Sequence, residues 1–238
     1  MTLTLLSFGP EGWGSTLLIG ALMTIAVAVS SFAFGLVPGA LAAMASRSRH
    51  VSLRALALVY TTLVRGIPEL LVIYLFFFGT SSMIMAIVRL TFGYGGYIEV
   101  NAFAIGVLSV GLISGAYSAE VIRGAIASVP KGQLEAAMAL GLKRWVIVSR
   151  ILFPQALRVA LPGLNNVWQT TLKDTSLISV TGLAEIMRSA NMAAGVTHEP
   201  FTFYLAAALI YLLFTWGSAR LFARAEIFSG RGLKEARP

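Results

Sequence analysis

The chain reads as an all-α integral membrane protein of five transmembrane helices, with its amino terminus outside and its carboxyl terminus in the cytoplasm. Three observations predict this. Of 238 residues, 57% are hydrophobic and only 12% are charged, whereas a soluble domain is about 25% charged and needs that polar exterior. Long uncharged runs recur, and about 20 mostly apolar residues in a helix cross a bilayer core. Finally, the basic residues sort onto one face of a five-span arrangement, and an even number of spans would spoil that sorting.

The first span, about 15–45, contains the uncharged run Ser15–Ala45. At about 1.5 Å per residue this is roughly 46 Å of helix, so tilt or a kink near Pro38-Gly39 is expected to absorb the excess. The second, about 55–88, holds Gly66–Val88 with Glu69 as its only charge, and the third, about 100–122, holds the uncharged Val100–Ala119. The fourth, about 156–173, is weaker: between Arg158 and Lys173 lie Pro162, Gly163, Asn165, Asn166 and Gln169. A polar, interrupted segment survives at membrane depth only where protein or a water-filled path covers it, so this span should face the interior of an assembly. The fifth, about 200–222, includes the uncharged Pro200–Ala219.

Charge sets the orientation. Arg47, Arg49, Arg54 and Arg65, then Arg123 through Arg158, then Arg220, Arg224, Arg231, Lys234 and Arg237 fall on one face; only Arg89, Lys173 and Arg188 fall on the other. Cytoplasmic segments carry the Lys/Arg excess, so the net charge of +8 is an orientation signal and a contact with lipid headgroups, not a nucleic-acid footprint. No cysteine is present and the two histidines, His50 and His198, lie far apart, which leaves no thiolate or histidine metal site and no catalytic constellation to read. Met1–Gly14 has no basic cluster or small-residue cleavage pattern, so a removable signal is not expected. Residues 1–238 read as one transmembrane domain, with Gly93, Gly95 and Gly96 in an outer loop.

The most informative stretch joins spans three and four on the basic face, about 123–155. Ser128-Val129-Pro130 can start a helix, Glu135, Ala136, Ala137, Ala139 and Leu140 favour one, and Gly141 can end it as a carboxyl-terminal cap. A short helix with small side chains results, open to close approach by another protein.

The spacing of Glu135-Ala136-Ala137, Gly141, Ile151 and Phe153-Pro154 resembles the EAA loop of ABC importer permeases, with Phe153 replacing the usual leucine. Arg65–Gly79, Gly115–Ala137 and Leu172–Ile186 extend the resemblance to the polar amino acid family, the permeases for histidine/lysine/arginine/ornithine and for opines, and within it to the Q-type membrane subunit. The resemblance implies a permease domain in the bacterial inner membrane, paired with a sister permease as a heterodimer. It also implies two copies of a cytoplasmic ATPase, which carry the ATP and Mg, and an extracytoplasmic solute-binding protein that delivers a polar, often basic, amino acid or opine. Glu135, Ala136, Ala137, Gly141 and Pro154 would then form the joint to the ATPase. The chain has no G-x-x-x-x-G-K-[ST] loop, so nucleotide hydrolysis must lie in another chain and no cofactor is expected on this one.

Candidate path residues are the polar groups within spans. Asn165, Asn166, Trp168 and Gln169 could line a path, or could join helices to one another; Trp168 could equally sit in an interfacial belt. Lys173-Asp174-Thr175-Ser176 could form an outer gate. Glu69, four residues after Arg65, and Glu120, three before Arg123, can line a path or form ion pairs along a helix. The aromatic run Tyr74, Phe76, Phe77 and Phe78 suits lipid contact or dimer packing. A stand-alone channel or secondary transporter is the alternative reading, and it leaves the EAA spacing unexplained.

Overall fold

The computed structural model describes residues 2–9, 12–92 and 101–230. Gly93, Gly95 and Gly96, and the terminal Arg231, Lys234 and Arg237, lie outside them. Among the described residues every regular element is helical: α1 Thr2–Leu5, α2 Gly14–Ala45, α3 Val51–Gly66, α4 Glu69–Phe92, α5 Ala102–Ser128, α6 Lys131–Ala139, α7 Arg144–Val146, α8 Phe153–Asp174, α9 Ile186–Thr197 and α10 Pro200–Gly230. A π-helical turn, Ile147–Leu152, joins α7 to α8, and a 3-10 stretch, Thr175–Thr181, extends α8. Five helices are long and apolar enough to cross a membrane: Gly14–Ala45, Glu69–Thr91, Ala102–Ser128, Arg144–Thr181 and Pro200–Gly230.

The centre of the bundle is the pair α2 and α5. Gly35 and Gly39 on α2 face Gly111 and Gly115 on α5, each pair four residues apart. A Cβ on Gly35 would overlap the Gly111 carbonyl oxygen, and one on Gly39 would sit 2.8 Å from the Gly115 carbonyl oxygen. In a bilayer no hydrophobic force drives helices together, so such small-residue seams, which let backbones touch, supply the association. Val27, Val110 and Ile113 are fully buried beside the seam and are joined by Val72 and Ile73 of α4. Around this centre the outer surfaces stay apolar: on α10 only Phe203 and Ala207 are buried, while Leu209, Leu212, Leu213 and Trp216 are exposed. A surface of that kind is stable in lipid and not in water.

Three boundaries differ from the sequence expectation. The expected second span, 55–88, is two helices, broken at Ile67-Pro68, with only the second long and apolar enough to cross. Pro68 lacks an N–H and forces the preceding residue into extended backbone; Ile67 has φ −105°, ψ 140°. The expected cytoplasmic segment 123–155 is mostly helix, because α5 continues to Ser128 and the fourth crossing helix already begins at Arg144. Pro154 lies in the first turn of α8, immediately after the π-helical turn. The wider π turn gives its ring room where an α turn would clash with the carbonyl four residues back.

The third difference is α9, a twelve-residue helix between the last two spans that hydropathy does not reveal. Glu185 caps it, accepting hydrogen bonds from the backbone N–H of Met187 at 2.8 Å and Arg188 at 2.7 Å. The Tyr211 hydroxyl donates to the same carboxylate at 3.3 Å, and the Ile186 N–H donates to Thr24 Oγ1 at 3.2 Å. This node fastens α9 to α2 and α10 together. Glu185 is 1% exposed; burial pushes its carboxyl up from the ordinary 4.5, with its N–H, Tyr211 and Thr24 hydrogen bonds opposing the shift.

Gly35→Ala should therefore lower the thermal unfolding midpoint of the purified protein, by the roughly 1–3 kcal/mol of an overpacked site. Gly217→Ala, where a Cβ meets nothing within 4 Å, should be neutral or slightly stabilising. Equal effects would remove the role of the seam.

Because the raised Glu185 value favours the protonated form in the folded state, the unaltered chain should lose stability as pH rises from below 4.5 through the raised value, and none above it. Glu185→Gln should lack that step. Glu185→Ala, which orphans the Met187 and Arg188 N–H groups, should cost about 1–3 kcal/mol and melt below the Gln variant at every pH.

Candidate functional site

Two regions carry chemistry that packing alone does not explain. The first is α6. It follows α5 after only Val129 and Pro130, and it ends in a hydrogen-bonded motif that requires Gly141. The Gly141 N–H donates to the Met138 carbonyl at 2.9 Å and the Leu142 N–H to the Ala137 carbonyl at 3.2 Å. This paired arrangement closes a helix with a left-handed residue. Gly141 has φ +71°, a conformation that costs other residues about 1–2 kcal/mol.

Ala137 is buried at 3% exposure and faces the π-helical turn, whereas Glu135, Ala136, Met138 and Leu140 are exposed. Leu142 and Trp145 add to this open apolar patch, Trp145 at 76% exposure. The short helix is also tied to the fourth crossing helix: Gln155 Nε2 donates to Gln133 Oε1 at 2.6 Å and to the Ile151 carbonyl at 2.9 Å. Pro154, next to Gln155, is half-buried. Neither glutamine is visible as a partner in the sequence, since they lie 22 residues apart and belong to different elements.

The second region surrounds the break at Pro68. Arg65 and Glu69 do not form the expected pair one turn apart, because the helix ends between them. Arg65 instead meets Glu120 across the bundle at 3.6 Å, and Glu120 also pairs with Arg123 as the spacing anticipates. Glu69 accepts a hydrogen bond from the Tyr117 hydroxyl at 3.1 Å, and the Arg65 guanidinium lies 5.4 Å from the centre of the Tyr117 ring. Tyr117 stands about 22 Å along α5 from its start, well inside the crossing helix. Asp174 lies at the carboxyl end of α8. The cluster gathers charges of both signs where α3, α4 and α5 meet. On the basic side of it a cavity of about 300 Å³, lined by Ser46, Arg54, Glu120 and Arg123 among others, opens between α2, α3 and α5.

The polar residues of α8 divide. Trp168 is buried at 8% exposure against Phe32, with ring centres 5.5 Å apart, so it lies inside the bundle and not in an interfacial belt. Gln169 Nε2 reaches Ser218 Oγ at 3.2 Å, the Thr215 carbonyl at 3.4 Å and Asn165 Oδ1 at 3.4 Å; these contacts join α8 to α10. Asn166 and Thr170 are exposed on the remaining face. Of the aromatic run on α4, Phe76 packs into the core while Phe78 is 57% exposed.

A five-span helical bundle with a mixed-charge interior and an exposed short helix bonded to one span has the architecture of a membrane transport subunit. Residues 35–224 match the family described as binding-protein-dependent transport system inner membrane component, and the chain belongs to that family. It is 54% identical over 234 residues to the nopaline transport system permease protein NocQ of Agrobacterium fabrum, covering 98% of this chain and 99% of that one. It is 37% identical over 226 residues to the histidine/lysine/arginine/ornithine transport system permease protein HisQ of Escherichia coli, covering 94% and 98%. Among solved structures it resembles one chain of an amino acid ABC transporter crystallised with histidines, at a TM-score of 0.76 and 29% identity over 90% of this chain and 94% of that one. The protein is thus the multi-pass permease of an ABC importer in the inner membrane, a non-catalytic subunit.

Gly141→Val should keep the bundle folded, since no atom lies within 4 Å of a Cβ there, yet distort the end of α6. In the assembled importer we expect nucleotide hydrolysis to continue while uptake falls at least tenfold. Uptake at the unaltered rate, measured with the same hydrolysis assay, would remove the role assigned to this cap.

Proposed function

We propose that this permease carries polar, cationic amino acids or opines, and that α6 is the joint through which a separate ATPase drives it. The observation that carries the reading is that α6 is exposed on its Glu135, Ala136 and Met138 side and hydrogen-bonded to α8 through Gln133 and Gln155. A push on α6 reaches the span that ends at Asp174 without an intervening flexible loop. In this reading the basic face is cytoplasmic, the amino terminus is outside, and two ATPase copies bind beneath this chain and a sister permease. ATP and Mg reside on the ATPase, and an extracytoplasmic binding protein delivers the substrate. Nucleotide-driven movement of the two α6 helices shifts the membrane domains between two arrangements.

The charged cluster supports the substrate class. An amino acid needs a partner for each end, and here Glu69 and Asp174 can face its cationic groups while Arg65 can face its carboxylate. A cation between the two carboxyl groups favours the ionised form of both. Glu120 holds Arg65 and Arg123 and acts as a positioning residue. Asn166 and Thr170 lie on the open face of α8, whereas Gln169 holds α8 to α10 and Asn165 accepts from Gln169 within α8. The relatives' names specify nopaline for one and histidine, lysine, arginine and ornithine for the other, and each of those four amino acids has a basic side chain.

The test is reconstitution with the ATPase, sister permease and binding protein, followed by uptake of labelled arginine and of a neutral polar amino acid. Glu69→Gln should lower arginine uptake about tenfold, the loss of roughly 1.4 kcal/mol, and leave ATP hydrolysis in place. Equal loss for the charged and the neutral substrate would exclude Glu69 from charge recognition.

A further inference from the structure

A second cavity, of about 640 Å³, opens between α2, α5 and the long helix that begins at Arg144. It is separate from the charged cluster. Leu36, Met44, Ile122, Val148 and Leu157 contribute to its wall, and among the described residues that line it Arg47 alone is polar. Met44 is 66% exposed and Val148 48%, so the groove is open along its side.

Its length and charge specify an occupant. Leu36 and Arg47 are separated by about 16 Å of helix, and one leaflet contributes about 15 Å of hydrocarbon. The groove therefore runs from the middle of the bilayer to headgroup level at the basic end of the bundle. Arg47 follows the end of α2, and among the described residues no carboxylate lies within ion-pair distance of it. Nor does the sequence offer one nearby, since no Asp or Glu occurs between Glu11 and Glu69.

We propose that this groove holds an acyl chain of an anionic phospholipid, with the headgroup phosphate against Arg47. The wall is apolar along its length and cationic at one end, the complement of a molecule that is apolar along its length and anionic at one end. A helix from a partner protein would leave the Arg47 charge unanswered unless an acid happened to fall at that level. The lipid touches Val148 on the π-helical turn, the segment between α6 and α8, and also α2; it packs between the helix that moves and the central seam. This inference does not depend on the identity of the transported substrate.

The experiment places the assembled importer in nanodiscs containing phosphatidylglycerol with a photoreactive group in its acyl chain, and maps the labelled peptides by mass spectrometry. Label is expected on the peptides that carry Met44 and Leu157. Arg47→Ala should reduce it about fivefold, the effect of one cation at headgroup level, and Arg47→Lys should restore it. Ala40→Trp, which fills the groove, should abolish it, and unlabelled phosphatidylglycerol should compete where phosphatidylcholine does not. Label spread evenly over the exposed face of α10 and indifferent to Arg47→Ala, or to Ala40→Trp where the first variant fails to assemble, overturns the proposal. So does efficient cross-linking of a cysteine at position 40, unique because the chain has none, to the sister permease.

Discussion

Backbone contact between α2 and α5 is the constraint on which the remaining geometry depends. Hydrocarbon offers helices no solvent-driven reason to associate, so contact must come from close packing and from polar groups that find partners. Gly35, Gly39, Gly111 and Gly115 let the two backbones touch, Phe34, Ser114 and Ser118 close over them, and the flanking Val27, Val110 and Ile113 fill the space beside the seam. Once α5 is fixed against α2, Tyr117 and Glu120 are fixed with it, since both project from the same helix a turn or so below the seam. The mixed-charge cluster is therefore anchored on the most rigid part of the chain.

The break at Pro68 has its meaning against that anchor. An unbroken second span would place Arg65 and Glu69 on one helical face, neutralising each other and leaving Glu120 with Arg123. The break redirects them: Arg65 turns to Glu120 and Glu69 to Tyr117. Backbone without regular hydrogen bonds is tolerable at depth only beside protein or water, and the charged groups supply that polar surrounding. The same discontinuity that weakens the span as a structural element frees Arg65 and Glu69 to meet groups on α5.

Much of this was legible in the sequence, and the failures have physical causes. Charge-free runs located five crossing helices, because the bilayer imposes a length and a polarity that few soluble segments satisfy. The end of α6 at Gly141 was readable because only a residue without a Cβ adopts φ +71° without cost. Pro68 was visible too, yet a hydropathy average runs through a proline without registering it, so the break was missed and with it the partners of Arg65 and Glu69. α9 is hidden from hydropathy because, after Ile186, its buried face is built from Ser189, Ala190, Ala193 and Ala194, residues too small to give a strong signal, and its cap is a charged residue. Gln133 and Gln155 could not be paired by any local pattern, since their contact exists only after α6 folds back on the next helix.

That last contact decides how the two regions relate. α6 has one buried residue, Ala137, and cannot be held in place by hydrophobic burial alone. Its position depends on the hydrogen bond to Gln155 and on its packing against the π-helical turn, both on the helix that ends at Asp174. The π turn is the least regular part of that helix and lies directly between α6 and the straight portion beyond Pro154. Strain entering at α6 therefore reaches a segment whose hydrogen-bond register can change before it reaches the rigid part. The far end of the same helix carries Asp174 opposite Glu69, whose neighbours are tied to the α2–α5 seam. In the proposed reading, a movement of α8 relative to that seam changes the separation of the two carboxyl groups and with it the affinity of the cluster for a cation. On that reading a cation there biases the position of α6 in turn, because the coupling between two sites is reciprocal.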